Sequence, residues 1–177
     1  LRENHGLDAR GTYLEGFFGR VPPTAHYAYL HYGVEIAHTI DLYRATRLLR
    51  LRVAFEAVEG DTERIPFTDL PWIGGSRRLR GYREAQFRDM RASFASVEYH
   101  YPIHRAVRGE LFVDAGYVAK QYEDLVKLDR WKLGYGAGIV IGSESDMAIQ
   151  FSVAYGEDLR VYLSTDLTHA FEGADQL

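Results

Sequence analysis

Residues 74–82 read Gly74-Gly75-Ser76-Arg77-Arg78-Leu79-Arg80-Gly81-Tyr82, a glycine-rich and strongly basic stretch. It lies between two runs of sequence in which apolar and polar residues alternate, and the second run continues to Phe171. Alternation with a period of two residues is typical of β-strands whose two faces meet different surroundings. Large aromatic residues recur on strand after strand, as they do in transmembrane barrels, where one face meets lipid and the other meets the lumen.

The composition excludes several classes of protein. Although 46% of the 177 residues are hydrophobic, no run approaches the roughly 18 consecutive apolar residues of a membrane-spanning helix. The formal net charge of -4 argues against a dedicated nucleic-acid binder. The chain has no cysteine, which excludes disulfides and thiolate metal sites. It begins at Leu1 without the features of a signal peptide, so we expect a mature or excised segment.

Eight segments alternate with the period of a strand. The third does so most clearly, because Arg50, Arg52 and Glu56 all lie on the face opposite its large apolar residues. On a lipid-facing surface each such charge would cost ~2–4 kcal/mol at the bilayer midplane, so we expect the polar face to line the lumen. The eight segments are residues 11–20, 30–40, 49–56, 94–102, 111–117, 132–141, 147–155 and 161–171.

These segments predict an all-β, antiparallel transmembrane β-barrel with eight strands per chain, formed by residues 1–177 as one domain. A soluble sandwich would also alternate, but the spread of large aromatics favours the barrel. Alternation fails from Glu59 to Gln86, and a loop of that length (residues 59–86) is usually functional. The alternative arrangement is half of a sixteen-stranded barrel.

The number of strands decides whether the long loop can lie inside the barrel. The interior of eight strands is just wide enough for side chains, whereas ~16 strands leave a channel. One chain that closes alone must therefore hold residues 59–86 outside, while two chains that share a barrel could enclose them. Closure of a single chain satisfies every strand edge without a partner, and this is the arrangement that we expect.

Several motifs in order resemble one known family. Its loop motif reads Val-Arg-Gly-Phe or Val-Arg-Gly-Tyr after a pair of glycines, and here Gly74-Gly75 and Leu79-Arg80-Gly81-Tyr82 stand in those places. The other matching segments are Arg10-Gly11-Thr12-Tyr13-Leu14, Ser96-Val97-Glu98-Tyr99 with Pro102, Phe112-Val113-Asp114-Ala115-Gly116, and Gly134-Tyr135-Gly136-Ala137-Gly138. The chain thus resembles the C-terminal barrel half of the BamA-type outer-membrane protein insertase superfamily, also called the bacterial surface antigen family.

The resemblance implies a role for Arg80. Its guanidinium is expected in the lumen against Phe112 and Asp114, with Glu98 nearby. A fork of donors that meets a carboxylate beside an aromatic face is physically favourable. Asp114 and Glu98 could also be read as paired carboxylates for acid–base catalysis, but ion pairing in the lumen is the interpretation that we adopt.

Two further expectations concern the neighbours of this arginine. Arg77 and Arg78 are expected to be solvated, because only Arg80 occupies the family's buried position. Gly134, Gly136 and Gly138 step along one strand face, where glycines let a loop or a side chain approach the backbone closely. A dinucleotide-binding loop would instead need a helix after its glycines.

The resemblance also implies a function. Family members have sixteen strands and soluble periplasmic domains, and the resemblance covers their last eight strands. Family chains end on an aromatic residue of the final strand, whereas in this chain residues 172–177 follow Phe171. We expect a non-enzymatic protein of the bacterial outer membrane that assists insertion or translocation of outer-membrane proteins without a cofactor or metal. The expected partners are the lipid bilayer, unfolded client proteins and a second copy of the chain, with no nucleic acid. The alternatives are a passive eight-stranded barrel and a lipid-acting barrel enzyme.

Overall fold

The computed structural model describes residues 11–22, 27–44, 46–104, 106–142 and 148–166. Eight long strands form one antiparallel sheet in chain order, so the predicted all-β fold with eight strands is confirmed. Two further strands are short and form a separate hairpin. The strands are β1 Gly11–Val21, β2 Tyr29–Tyr43, β3 Arg47–Gly60, β4 Trp72–Ile73, β5 Phe87–Arg88, β6 Arg91–His104, β7 Val107–Ala119, β8 Lys132–Ile141, β9 Ala148–Tyr155 and β10 Leu159–Asp166.

Helical structure is sparse. The helix α1 covers Tyr122–Leu125, and single 3-10 turns cover Thr62–Arg64, Phe67–Asp69 and Leu128–Arg130. None of the helices in the described ranges is long and apolar enough to span a membrane. Three predicted features lie outside the described residues: Arg10 in the first matching segment, Met147 at the start of the seventh predicted strand, and residues 167–171 at the end of the eighth.

The sheet has a polar inner face and an apolar outer face. In β7, Phe112 and Asp114 are buried on the inner face, whereas Leu111 and Val113 are about half exposed on the outer face. Val113 pairs with Val97 of β6 and with Tyr135 of β8, so apolar side chains continue from strand to strand. A slip of one residue in register would exchange the two faces, which is why the alternation fixes the pairing.

Residues 61–90 form the connection between β3 and β6, here named the inner loop because they pack against the inner face. The loop is slightly displaced from the predicted residues 59–86, since β3 continues to Gly60 and β6 begins at Arg91. It contains the β4–β5 hairpin, in which Trp72 pairs with Arg88. Loop and sheet share the main hydrophobic cluster of Ala54, Ile73, Leu79, Tyr82, Ala92 and Phe94.

The sheet is open in the part of the chain that the structure describes, because the edge strands β1 and β10 do not pair with each other there. The expected closure of one chain, with its loop outside, is therefore wrong. The physical reason is the volume of the inner loop: the interior of an eight-stranded barrel has room for side chains only, so a sheet that encloses this loop must stay wider.

We predict that Val113→Arg destabilises the protein in a bilayer by ~2–4 kcal/mol, because it places a charge on the outer face near the middle of a strand. The matched control is Ser164→Arg, which adds the same side chain to an exposed position on the inner face of β10. Urea unfolding in phospholipid vesicles measures both changes. An equal loss of stability for the two variants would contradict the assignment of the outer face to lipid.

Candidate functional site

The candidate site is built on a sharp turn of the inner loop around Arg80. The residues on either side have left-handed backbones, with φ of 63° at Leu79 and 94° at Gly81. A bulky residue in this region costs ~1–3 kcal/mol, and the complete burial of the Leu79 side chain offsets a similar amount, about 1.5–3 kcal/mol. A methyl group at Gly81 would overlap the backbone of Gly156. The turn therefore requires both a packed leucine and a glycine.

The turn directs Arg80 onto Asp114 of β7. Arg80 Nε donates to Asp114 Oδ2 at 2.7 Å, and Arg80 Nη2 donates to Asp114 Oδ1 at 2.8 Å. The backbone N–H of Arg80 also donates to Asp114 Oδ2, at 2.9 Å. This bidentate geometry is the strong form of an arginine–carboxylate pair. One carboxylate thus fixes both the backbone and the side chain of the loop residue.

Two further carboxylates complete the surroundings of Arg80. Its Nη2 lies 2.8 Å from Glu98 Oε1 of β6, and its Nη1 lies 2.8 Å from Glu110 Oε1 of β7. The guanidinium carbon lies 3.5 Å from the centre of the Phe112 ring, which is within the range of a cation–π contact. The Ser96 hydroxyl donates to Asp114 Oδ1 at 2.6 Å. The structure thus brings Arg80, Phe112, Asp114 and Glu98 together.

The site is buried and its arginine is charged. The Arg80 side chain is only 6% exposed. Burial by itself lowers the pKa of Arg80, but the hydrogen bonds and the negative charges of Asp114, Glu98 and Glu110 raise that pKa above its ordinary value. Removing one partner of such a buried pair leaves an uncompensated charge and is strongly destabilising. The cluster therefore anchors the inner loop to the sheet, and this attachment depends on every charged member of the cluster.

The same turn also reaches strands on the far side of the sheet. The Gly81 N–H donates to the Tyr162 hydroxyl of β10 at 3.0 Å, and that hydroxyl donates to the Tyr82 carbonyl at 3.3 Å. The Tyr82 hydroxyl donates to the carbonyl of Leu133 in β8 at 3.0 Å. The loop motif therefore links β6 and β7 to β8 and to the edge strand β10.

The three glycines of β8 have different neighbours. A methyl group at Gly134 would overlap the Arg80 carbonyl oxygen, so the inner loop touches the backbone at this point. At Gly136 a methyl group would meet the Phe112 ring and the backbone of β9, and at Gly138 it would meet Ser152 of β9. Loop contact is thus limited to Gly134, while Gly136 makes room for the aromatic partner of Arg80.

The other basic residues of the motif differ from each other. Arg77 is exposed, as expected. Arg78 is not simply solvated: its Nη1 lies 2.7 Å from Glu56 Oε2 of β3, and its Nη2 lies 3.6 Å from Glu35 Oε2 of β2. The expectation of a solvated Arg78 is wrong, because the inner face of β2 and β3 carries carboxylates beneath the loop. Gly74 and Gly75, both with positive φ, precede this pair of arginines.

Sequence reasoning missed three members of the network. Glu110 and Gln150 are joined by a 2.7 Å hydrogen bond from Gln150 Nε2 to Glu110 Oε2, which extends the cluster to β9. Tyr162 binds the loop backbone from β10. Alternation does place Glu110 on the same face as Asp114, four residues away, but it does not say which inward side chains are long enough to reach the arginine.

The chemistry of the cluster is structural. The oxygens of Asp114 accept four hydrogen bonds, two from the guanidinium, one from the Arg80 backbone and one from Ser96, so this carboxylate is not free to accept a substrate proton. In the described part of the chain, no three His, Asp or Glu side chains are grouped so that they could hold a metal ion. The arrangement is suited to fixing the inner loop to the sheet.

We predict that Arg80→Ala destabilises the folded chain by ~3–5 kcal/mol, because it leaves buried carboxylates without their counter-charge. Arg77→Ala is the matched control and should change stability by about 0.5 kcal/mol or less, since its side chain is exposed. Urea unfolding in detergent micelles or vesicles measures both. In a double-mutant cycle, Arg80→Ala and Asp114→Ala should be strongly non-additive; additive effects would refute the pairing.

We predict that Gly134→Ala destabilises the protein by ~1–3 kcal/mol, because the added methyl group overlaps the Arg80 carbonyl and must push the loop from the sheet. The matched control is Gly16→Ala in β1, where the nearest atom to the new methyl group would be 3.7 Å away. Thermal or urea unfolding compares them. If both substitutions proved equally tolerated, the loop would not rest on β8.

Comparison with known proteins places this chain in a family. A family model described as the Omp85 superfamily domain matches residues 14–160. No curated protein sequence matches the chain. Among solved structures, the fold is similar to the crystal structure of BamA from Haemophilus ducreyi lacking POTRA domains 1–3, with a TM-score of 0.70 and 17% sequence identity. The match covers 94% of this chain but 41% of the BamA chain, so this chain spans less than half the length of that relative. These matches confirm the resemblance to the C-terminal barrel part, and because the family model covers most of the sequence, the chain belongs to the Omp85 superfamily.

Proposed function

We propose that this chain assists the assembly or insertion of outer-membrane proteins, as part of a barrel in the bacterial outer membrane. Membership of an outer-membrane insertase and translocation family gives the general class of function. The proposed partners are the lipid bilayer and unfolded client proteins, with a second copy of this chain as a candidate for the facing half of the barrel.

The observation that carries the proposal is an edge strand held from the inside by the anchored loop. In the described residues, β10 pairs with β9 on one side and with no strand on the other. Unpaired N–H and C=O groups along a strand edge are a template for an added strand. Within a bilayer, backbone N–H and C=O groups that lack a hydrogen-bond partner are costly. The edge thus favours pairing with a strand of another chain.

The loop motif supports this role because it sets the position of that edge. The Tyr162 hydroxyl of β10 accepts from the Gly81 N–H and donates to the Tyr82 carbonyl, while Arg80, next in the chain, is locked onto Asp114. Movement of the anchored turn would therefore move β10. We propose that the anchor holds the edge strand in an orientation that accepts a client strand.

We predict that vesicles containing this chain accelerate the folding of an unfolded eight-stranded outer-membrane barrel protein added from urea. The measurement is the fraction of client that becomes resistant to unfolding by detergent at room temperature, followed over time by gel mobility. Arg80→Ala should lose the acceleration even where the variant remains inserted, and Arg77→Ala should retain it, because only Arg80 locks the loop.

The alternatives give other outcomes in the same assay. A passive barrel would insert stably and leave the rate of client folding equal to that of empty vesicles, which would contradict the proposal. A lipid-acting enzyme would release acyl chains from the vesicles. A hydroxyl–imidazole contact does occur on the outer face, with Thr12 Oγ1 2.8 Å from His38 Nδ1. Within the described ranges, however, no carboxylate bonds to His38 to orient it, so the observations favour the insertase.

A further inference from the structure

Residues 156–158 connect β9 to the edge strand β10, and we name them the edge turn. The ladder between β8 and β9 ends at the pair Tyr135 and Tyr155, directly before the edge turn. The first three residues of β8, 132–134, pair with β7 but with no residue of β9 that the structure describes. At this end of the sheet, the ladder therefore does not fix the last hairpin to β8.

The inner loop contacts the edge turn where the ladder is missing. The Gly81 carbonyl accepts hydrogen bonds from the N–H groups of Glu157 and Asp158, at 3.3 and 3.4 Å. The Gly81 N–H donates to the Tyr162 hydroxyl of β10. One loop residue, next in the chain to the buried Arg80, thus binds the last hairpin of the sheet through both of its backbone groups.

Two glycines allow this close approach. A methyl group at Gly81 would overlap the backbone of Gly156, and a methyl group at Gly156 would overlap the Tyr82 ring. That ring has little freedom to move, because its hydroxyl donates to the Leu133 carbonyl and its face lies 5.3 Å from the Phe87 ring. A side chain at position 156 would therefore have to push the edge turn away from the loop.

A side-chain contact adds to the backbone contacts. Gln86 Nε2 donates to Glu157 Oε2, and Gln86 Oε1 accepts from the Arg83 N–H at 2.8 Å. Ala85, directly before Gln86, has a left-handed backbone with φ of 52°. A residue other than glycine adopts this conformation only where the surrounding structure imposes it. The loop thus forms a strained turn that places the Gln86 amide between its own backbone and the edge turn.

The contacts of the edge turn are weaker than those of the arginine cluster. The two backbone bonds to Gly81 are long and neutral, and Glu157 and Asp158 are exposed. The bonds from Arg80 to Asp114 are 2.7–2.9 Å long, buried and charged, and charge-assisted bonds are roughly twice as strong as neutral ones. Substitutions at the edge turn can therefore release the hairpin while the loop stays fixed to β7.

We propose that contact with the inner loop positions the edge strand for an incoming client strand, and that Gly156 and Gln86 are positioning residues. The proposal rests on the insertion function proposed above and identifies the residues that orient the accepting edge. A strand that adds to β10 must meet N–H and C=O groups that are already in line. A hairpin end without contacts opens locally, and the edge would then lose the register that a client strand needs.

Hydrogen exchange of backbone amides in phospholipid nanodiscs measures whether the edge turn is held, without any client. Gly156→Ala should accelerate exchange in β9 and β10 by about tenfold or more, because it separates the turn from the loop. Exchange in β6 and β7 should stay unchanged. The matched control is Gly19→Ala in β1, the other edge strand, where the nearest atom to the new methyl group would be 3.7 Å away.

A reversal of donor and acceptor tests the side-chain contact. Gln86→Glu places two carboxylates against each other at Glu157, and their repulsion should accelerate exchange in β9 and β10 and remove most of the acceleration of client folding. Addition of Glu157→Gln restores one donor and one acceptor with their positions exchanged, so both measurements should return towards those of the native protein. Such coupling between the two positions is not expected from a general loss of stability.

Four results would overturn the proposal. Unchanged exchange in both Gly156→Ala and Gln86→Glu would show that the loop does not hold the edge turn; the second variant decides this where the first fails to insert. Faster exchange with undiminished client folding would show that the held turn does not position the edge. Failure of Glu157→Gln to rescue Gln86→Glu would remove the positioning role of Gln86. A native protein without client-folding activity would contradict the proposed function and with it the client step, whereas exchange would still report on the edge turn separately.

Discussion

The contact between Arg80 and Asp114 is the constraint on which the rest of the structure depends. It joins a loop to a strand through three hydrogen bonds, two from the guanidinium and one from the backbone. Because the loop is fixed here, the neighbouring backbone must adopt left-handed conformations at Leu79 and Gly81. For the same reason β8 needs a glycine at position 134, where the Arg80 carbonyl rests on the strand.

From that point the inner loop braces the sheet across its inner face. Arg78 pairs with Glu35 of β2 and Glu56 of β3, and Arg80 pairs with carboxylates of β6 and β7. Farther along, Tyr82 binds the β8 backbone and Tyr162 of β10 binds the loop. Six strands therefore contact one loop through polar groups. These contacts hold the strands together across the inner face, in a sheet whose edge strands β1 and β10 do not pair with each other among the described residues.

The sequence predicted part of the fold and part of the candidate site, and the remaining features were missed for identifiable physical reasons. Alternation predicted the polar and apolar faces, since a period of two residues is a direct consequence of strand geometry. The loop motif led to Arg80 and its partner Asp114. Neither signal reports the reach of side chains across the lumen, so Glu110 and Tyr162 were missed. Closure was predicted wrongly because the size argument left both arrangements open, and the satisfaction of every strand edge by one chain was then taken to decide between them.

The inner and outer faces of the sheet stabilise the fold in different ways. On the inner face, polar contacts are specific and depend on individual partners, because a buried guanidinium without its carboxylates is costly. On the outer face, Val113 and its neighbours need only be apolar, since lipid imposes no directional partner. The Arg91–Glu59 pair breaks this division, and the chain restores it by laying Tyr122 over the charges. An outward charge near the end of a strand thus requires a cover, and Tyr122 of helix α1 supplies it here.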